Sequence, residues 1–209
     1  MSSFNSYGQT MDVFGELIEK NISNYISVAR PTKFKTPNMQ RKAAMLSSAK
    51  QDWQTRLDFY YKLCKERGLD YYDVDPATSE KNNLGCKIFY TIKDDGLTKA
   101  WHGNVFINPP FGWGYYNNKW TYITGLWIES AWKKYFESSD PIRLITMIVP
   151  ASVSTKVFHK YLWDYEEARA REGVRVNFKP GREKFGGSKM VAPFSTMIVD
   201  FYQEGKFPE

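Results

Sequence analysis

One short stretch limits the folds open to this chain more than any other. The apolar run Asn104-Val105-Phe106-Ile107 reads as a β-strand, and it ends directly on Asn108-Pro109-Pro110-Phe111. Consecutive prolines lack N–H donors and hold φ fixed, so neither a sheet ladder nor a helix continues through them. The strand must stop there, at a stiff turn that leaves backbone carbonyls free to face outward.

Strands and helices alternate around this point. Residues 55–67 place Leu57, Tyr60, Tyr61, Leu63 and Cys64 at helical spacing, and Gly68 follows as a C-terminal stop. Residues 69–74 read as a strand ended by the turn Asp75-Pro76-Ala77-Thr78-Ser79, and residues 87–92 as a short strand before the turn Asp94-Asp95-Gly96. A loop rich in glycine and aromatic residues spans 112–120. Beyond it the pattern predicts a helix over 122–136, a buried parallel strand over 143–149, a helix over 155–170 and late strands over 174–178 and 196–202. Strands alternating with helices, then two strands in succession, predict an α/β sandwich with a mainly parallel sheet and an antiparallel edge hairpin. Ligands of such sheets bind beyond the carboxyl ends of the strands, which puts Asp75 and Asn108 at one crevice.

Residues 1–50 read as a helical and basic extension. An amphipathic stretch over 11–28 forms its helix, and Arg30-Pro31-Thr32-Lys33-Phe34-Lys35-Thr36-Pro37 follows as a cationic connector. Apolar residues make up 42% and charged residues 25% of the chain, values that exclude wholesale disorder. No apolar run approaches the ~20 residues that cross a bilayer, and the first residues lack a secretory pattern, so a soluble cytoplasmic protein is expected. Cys64, Cys86, His102 and His159 lack metal-ligand spacing, so no metal site and no Cys–His nucleophilic pair is expected. A net charge of +6 with 17% aromatic residues suits a protein that meets a polyanion and stacks on bases.

The proline turn carries the sharpest chemistry. The exocyclic N6 of adenine is a poor nucleophile because its lone pair is delocalised into the ring. Two acceptors on its two hydrogens favour a tetrahedral nitrogen whose lone pair can attack. The Asn108 side-chain oxygen and the Pro109 carbonyl would be those acceptors, Pro110 would stiffen the turn, and Phe111 would stack on a base extracted from the duplex. Trp113, Tyr115 and Lys119 sit in the adjacent loop, where a lid over that base or a probe of its neighbours is expected, with an aromatic packing loop as the other reading. Arg182 and Lys184, in the basic glycine-containing segment over 179–189, are candidates for phosphate contact, with a solvated hairpin as the alternative.

Several blocks in order resemble the small phage-type DNA N6-adenine methyltransferases, related to the Dam group. They are Asp52-Trp53-Gln54-Thr55, Asp75-Pro76-Ala77-Thr78 with Asn82 downstream, Asp95-Gly96-Leu97 with Trp101, the strand ending on Asn108-Pro109-Pro110-Phe111, and Gly181-Arg182-Glu183-Lys184-Phe185 followed by Ala192-Pro193-Phe194. The resemblance covers roughly residues 52–202. It implies a Rossmann-like methyltransferase domain over 51–209, S-adenosylmethionine as methyl donor, adenine in DNA as acceptor, and the host-cell cytoplasm as location if the chain is phage-encoded. It further implies that Asp75 and Pro76 line the cofactor pocket, that Asp95 accepts a hydrogen bond from the cofactor's adenine amine, and that Trp53 with Thr55 holds its methionine end. Two departures stand out. Arg56 occupies a position where the family usually has proline, so the local backbone is expected to differ. Only 108 − 75 = 33 positions separate the two strand ends, so one strand-helix unit is expected to be shortened. Methyl transfer to RNA or to a protein glutamine, and a non-catalytic DNA-binding module on the same fold, are the alternatives.

Overall fold

The computed structural model describes residues 54–186 and 191–203 of the chain. The extension expected over 1–50, and Trp53 with it, lie outside the described residues.

Helix α1, Leu57–Glu66, forms where Tyr60, Leu63 and Cys64 line one buried face. Its end follows from the sequence. Gly68 takes φ +62, its N–H donates to the Lys65 carbonyl at 3.2 Å, and the Leu69 N–H donates to the Cys64 carbonyl at 2.9 Å. That bond pair is a Schellman termination, for which a left-handed glycine is the favoured residue. Arg56 takes a φ of −72 and ψ of 142, values that proline also adopts. The Arg56 guanidinium lies on the exposed surface, paired with Asp58 at 2.9 and 2.6 Å.

The central sheet has six strands. They are β1 (Val74–Asp75), β2 (Ile88–Phe89), β3 (Gly103–Ile107), β6 (Ile142–Pro150), β9 (Val174–Phe178) and β10 (Thr196–Tyr202), in the spatial order β2-β1-β3-β6-β10-β9. The first four are mutually parallel, and β10 runs antiparallel to both β6 and β9. The expected class, a mixed α/β fold with a mostly parallel sheet and an antiparallel edge, is the one observed, and it is compatible with a methyltransferase.

Helices cover both faces of the sheet. Alternate residues of β6 divide between them: Ile145, Met147 and Val149 face the cluster of α2 (Ile123–Phe136) and α3 (Lys156–Tyr161), whereas Leu144 and Ile148 face that of α1. β3 divides likewise, with Val105 and Ile107 on the α2 side and Phe106 on the α1 side. Trp127 of α2 stacks on Trp101 with ring centroids 6.1 Å apart. The α1 layer is tied down by ions as well: Arg67 donates two bonds of 2.8 Å to the buried Asp200 of β10.

Three expectations need correction. The strand expected over 69–74 is paired only from its end, because residues 68–69 complete the helix stop and the Tyr72 N–H donates to the Tyr60 hydroxyl instead of a neighbouring strand. The loop over 112–120 is a hairpin, β4 (Trp113–Tyr116) and β5 (Lys119–Tyr122), turned by Asn117 and Asn118 at φ 48 and 60. Two successive left-handed residues make the tight turn whose twist suits paired strands, and asparagine tolerates that conformation. The helix expected over 155–170 stops at Tyr161 and gives way to the ribbon β7 (Trp163–Asp164) and β8 (Arg169–Ala170). There the Asp164 carboxylate accepts the Glu166 and Glu167 N–H groups, so a side chain competes with the helical bonds.

Candidate active site

The strand order reverses within the parallel part of the sheet, apart from the antiparallel edge where β10 falls between β6 and β9. From β1 the chain moves outward to β2, then returns across β1 to lay β3 on its other side, with Val74 beside Val105. The connection between β1 and β2 contains turns and no helix, and the one between β2 and β3 a single 3-10 turn over Gly96–Thr98. The shortened unit expected from the spacing is therefore real. A reversal of this kind opens a crevice beyond the carboxyl ends of the two strands, and these ends carry Asp75 and Asn108.

Asp75 is buried, with 3% of its surface exposed. The Ala77 N–H donates to its carboxylate at 3.1 Å, and the Thr78 side chain also bonds it. Burial outweighs both and pushes the carboxyl up to about 7. Pro76 is buried beside it, and Gly96 packs against the Pro76 carbonyl so closely that a Cβ would lie 1.9 Å from that oxygen. Only glycine permits this approach, which sets Asp95 next to the turn after β1. Trp101 fixes the far side through a 2.9 Å bond from its indole N–H to the Gly96 carbonyl.

Asn108 is half-buried, and its Nδ2 donates to the Thr55 hydroxyl at 3.1 Å. Thr55 immediately precedes the first residue of the α1 cap and is 5% exposed. Its carbonyl accepts from Nδ2 of Asn83 at 3.2 Å, and the carbonyl of Gln54 accepts from the Gly186 N–H at 2.7 Å. Asn83 had no recognisable signal in the sequence, because a lone asparagine in a turn-rich stretch looks like any other.

Phe111, expected to stack on an extracted base, is packed inside the protein in this structure. It is 5% exposed and meets Phe185 and Phe194 edge-on, with centroids 5.9 and 5.4 Å away. Burying a phenyl ring contributes ~1.5–3 kcal/mol, and these two rings supply the socket. Pro109 is buried and Pro110 half-buried above it.

The hairpin leaves the site through Gly112, whose N–H donates to Thr124 Oγ1 and whose carbonyl accepts the Ile123 N–H, both at 2.9 Å. Tyr116, on the face toward the body, donates to Asp95 Oδ2 at 3.3 Å. Trp113, Tyr115, Trp120 and Tyr122 share the opposite face, since Trp113 pairs with Tyr122 and Tyr115 with Trp120. Trp113 is 47% exposed, and Lys119 is exposed beside the turn. Arg182 and Lys184 are exposed on the segment that brings Phe185 to Phe111 and Gly186 to Gln54, with Glu183 buried between them and paired to Lys179.

The structure thus joins Thr55 to Asn108 and Pro76 to the Asp95 turn, and it ties the hairpin to Asp95. Among the described residues no cluster of three or more His, Cys, Asp or Glu side chains could hold a metal ion. No helix among them is long and apolar enough to cross a membrane.

Comparison with curated proteins and with solved structures found no match. A family did match, over residues 42–204, a span that takes in every element described above. This chain belongs to the family DNA N-6-adenine-methyltransferase (Dam), enzymes that methylate adenine in DNA.

Proposed function

We propose that the turn Asn108-Pro109-Pro110 is the catalytic centre of this DNA adenine methyltransferase. Asn108 Oδ1 and the Pro109 carbonyl accept the two N6 hydrogens of an adenine taken out of the DNA stack. Those bonds pull the nitrogen lone pair out of conjugation, so that it becomes nucleophilic. Pro110 keeps the turn rigid, and Phe111 anchors it from below by its packing. The single observation that carries this reading is that β1 and β3, which end on Asp75 and at Asn108, lie side by side and parallel where the strand order reverses within the parallel part of the sheet.

Membership of the family implies S-adenosylmethionine as methyl donor. The residues present fit such a group: Asp75 is a buried carboxylate suited to a cation, and Gly96, where a Cβ would strike the Pro76 carbonyl, keeps the Asp95 turn against the turn after β1. In our reading Asp75 and Pro76 line the pocket, Asp95 accepts a hydrogen bond from the adenine amine of the cofactor, and Thr55 with Trp53 borders its methionine end. The cofactor would supply a methyl group on positively charged sulfur. The protein holds the acceptor amine in line with it, and alignment of reactants accounts for ~7–11 kcal/mol of a barrier. Fixed acceptors act without reorganising as charge develops on nitrogen.

The DNA duplex would lie across the hairpin and the basic segment, with Trp113, Tyr115 and Lys119 touching the target base and its neighbours and Arg182 and Lys184 reaching phosphates. We read the sheet as a Rossmann-like methyltransferase sandwich over 51–209, with 1–50 as an appendage, acting in the cytoplasm where its DNA lies. Its strand order and its helices on both faces support that reading.

Incorporation of labelled methyl from S-adenosylmethionine, with DNA, RNA and protein offered separately, tests the assignment. Label should enter DNA alone. Asn108→Ala should lower kcat by ~10²–10³-fold or more while the cofactor still binds, as loss of a preorganised polar group in an active site does. Near-normal incorporation by that variant would remove Asn108 from the chemistry.

A further inference from the structure

A two-stranded ribbon is at best marginally stable by itself, so the placement of the β4–β5 hairpin depends on what its inner face touches. Its root is bonded to the start of α2. There the Gly112 N–H donates to Thr124 Oγ1 and the Gly112 carbonyl accepts the Ile123 N–H, both at 2.9 Å. The turn at Asn117-Asn118 lies at the other end of the ribbon, four residues of strand away from that root. Where this end sits decides how Trp113 and Tyr115 present their face.

Tyr116, the last residue of β4, anchors the turn end. Its ring packs against the apolar cluster on the α2 side of the sheet, and its hydroxyl donates to Asp95 Oδ2 at 3.3 Å across 21 positions of sequence. The direction of that bond follows from the groups, because a carboxylate only accepts. Burial, and then the Asp95 charge, push the phenol up, so it keeps the proton it donates. Asp95 is a firm partner. It takes φ 54 at the cap of the 3-10 turn Gly96–Thr98, and the Thr98 hydroxyl and N–H both return to its carbonyl, at 2.8 and 2.9 Å. Gly96 next to it lies against the Pro76 carbonyl, where a Cβ would come within 1.9 Å. The Asp95 carboxylate is also the group read above as acceptor for the adenine amine of the cofactor. A carboxylate offers roughly four acceptor positions, so one bond does not displace the other.

We infer that Tyr116 is a positioning residue that makes the placement of the DNA-facing hairpin depend on the cofactor, through the Asp95 carboxylate that serves both. The inference rests on the reading of Asp95 as a cofactor contact and deepens it. A loaded pocket holds Asp95 and, with it, the Tyr116 hydroxyl, so the opposite face of the hairpin is set before DNA arrives. With the pocket empty, the hairpin is ordered at the expense of DNA affinity. By linkage, whatever factor the cofactor adds to DNA affinity, DNA adds to cofactor affinity. The enzyme thereby favours DNA most when it carries a methyl donor.

The test measures binding of the full chain to a duplex that accepts label from the wild-type enzyme, with and without S-adenosylhomocysteine, the cofactor after loss of its methyl group. Wild type should bind the duplex roughly three- to tenfold more tightly when S-adenosylhomocysteine is present, the scale of one hydrogen bond. Calorimetry of S-adenosylhomocysteine with and without the duplex should return the same factor. Tyr116→Phe keeps the ring against the core and removes the donor. It should bind the duplex equally well in both states, with Tm close to wild type. A purely structural part for the hydroxyl would weaken both states alike and leave the factor intact. An undiminished factor in Tyr116→Phe, or no factor in wild type, would overturn the inference. Asp95→Gly separates the two claims, since glycine accepts the left-handed backbone and removes the carboxylate. Undiminished affinity of that variant for S-adenosylhomocysteine without DNA sinks the cofactor role of Asp95, whereas weakened affinity there beside an intact factor in Tyr116→Phe sinks only the role of Tyr116.

Discussion

Two aspartates are sealed inside the sheet of this protein, and their surroundings are opposite in kind. Asp200 lies within β10 and is completed from inside the molecule: Arg67 bonds both its oxygens at 2.8 Å, and Thr146 donates at 2.7 Å. Tyr72 extends the network with a 2.9 Å bond to Thr146. Asp75 lies at the end of β1 and has only the Ala77 N–H and the Thr78 side chain, with no cation in ion-pair contact among the described residues. The first carboxylate is a structural part, because every charge it carries is answered within the fold. The second is held in an environment that disfavours its charge, which folding alone does not reward. The cofactor assignment proposed above uses that difference, since a cationic group in the pocket would complete the second acid and not the first.

The strongest way to break this contrast is to make Asp200 resemble Asp75. Arg67→Met strands a buried carboxylate and should destabilise the fold by about 3–5 kcal/mol, whereas replacing both members by apolar residues should recover much of that loss. Urea unfolding of the single and double variants measures it. Equal stability of the single variant and wild type would remove the distinction between the two sites.

Asp75→Asn makes the converse change and should stabilise the protein when no cofactor is present. The sign follows from linkage. Burial raises the carboxyl from 3.8 when unfolded to about 7 when folded. Between those values the folded state keeps a proton that the unfolded state has lost. The contribution of Asp75 to stability is therefore greatest below about pH 4, falls as pH rises to about 7 and is flat beyond. The asparagine variant should lose that slope and gain on the order of 2–4 kcal/mol at pH 8, while binding S-adenosylmethionine more weakly. Thermal melts across that range, with calorimetry of cofactor binding, decide it. An unchanged slope, or undiminished cofactor affinity, would contradict the assignment of Asp75 to the ligand.

The smallest effect is expected at the rim of the completed network. Tyr72→Phe removes one hydrogen bond to Thr146 and should cost about 1 kcal/mol in urea unfolding, with methyl transfer unchanged. A large loss of activity there would mean that the interior network and the crevice are coupled.

Local pattern carried the sequence reading wherever an element is defined by its own residues. The α1 period with its Gly68 stop and the β-branched run of β6 both follow from positions close together in the chain. The misreadings fall where a side chain overrode the period. Asp164 drew backbone donors away from a helix that the spacing otherwise allowed to continue, and the Asn117-Asn118 turn closed a hairpin inside a stretch whose glycines and aromatic residues suggested only a loop. The packing of Phe111 was hidden from the sequence for a different reason. Its expected role looked outward to a base, whereas its socket is built by Phe185 and Phe194, far along the chain.

By itself, the sequence determined where strands must stop and what chemistry stands at those stops, because proline geometry and the carboxyl and amide groups of Asp75 and Asn108 are properties of single residues and their neighbours. The tertiary structure alone decided which stops face one another, that the Asn108 amide leans on Thr55, and that Gly96 closes on Pro76. Those contacts span long stretches of chain, and their selection depends on how two helical layers bury both faces of one sheet, a property that no local spacing records.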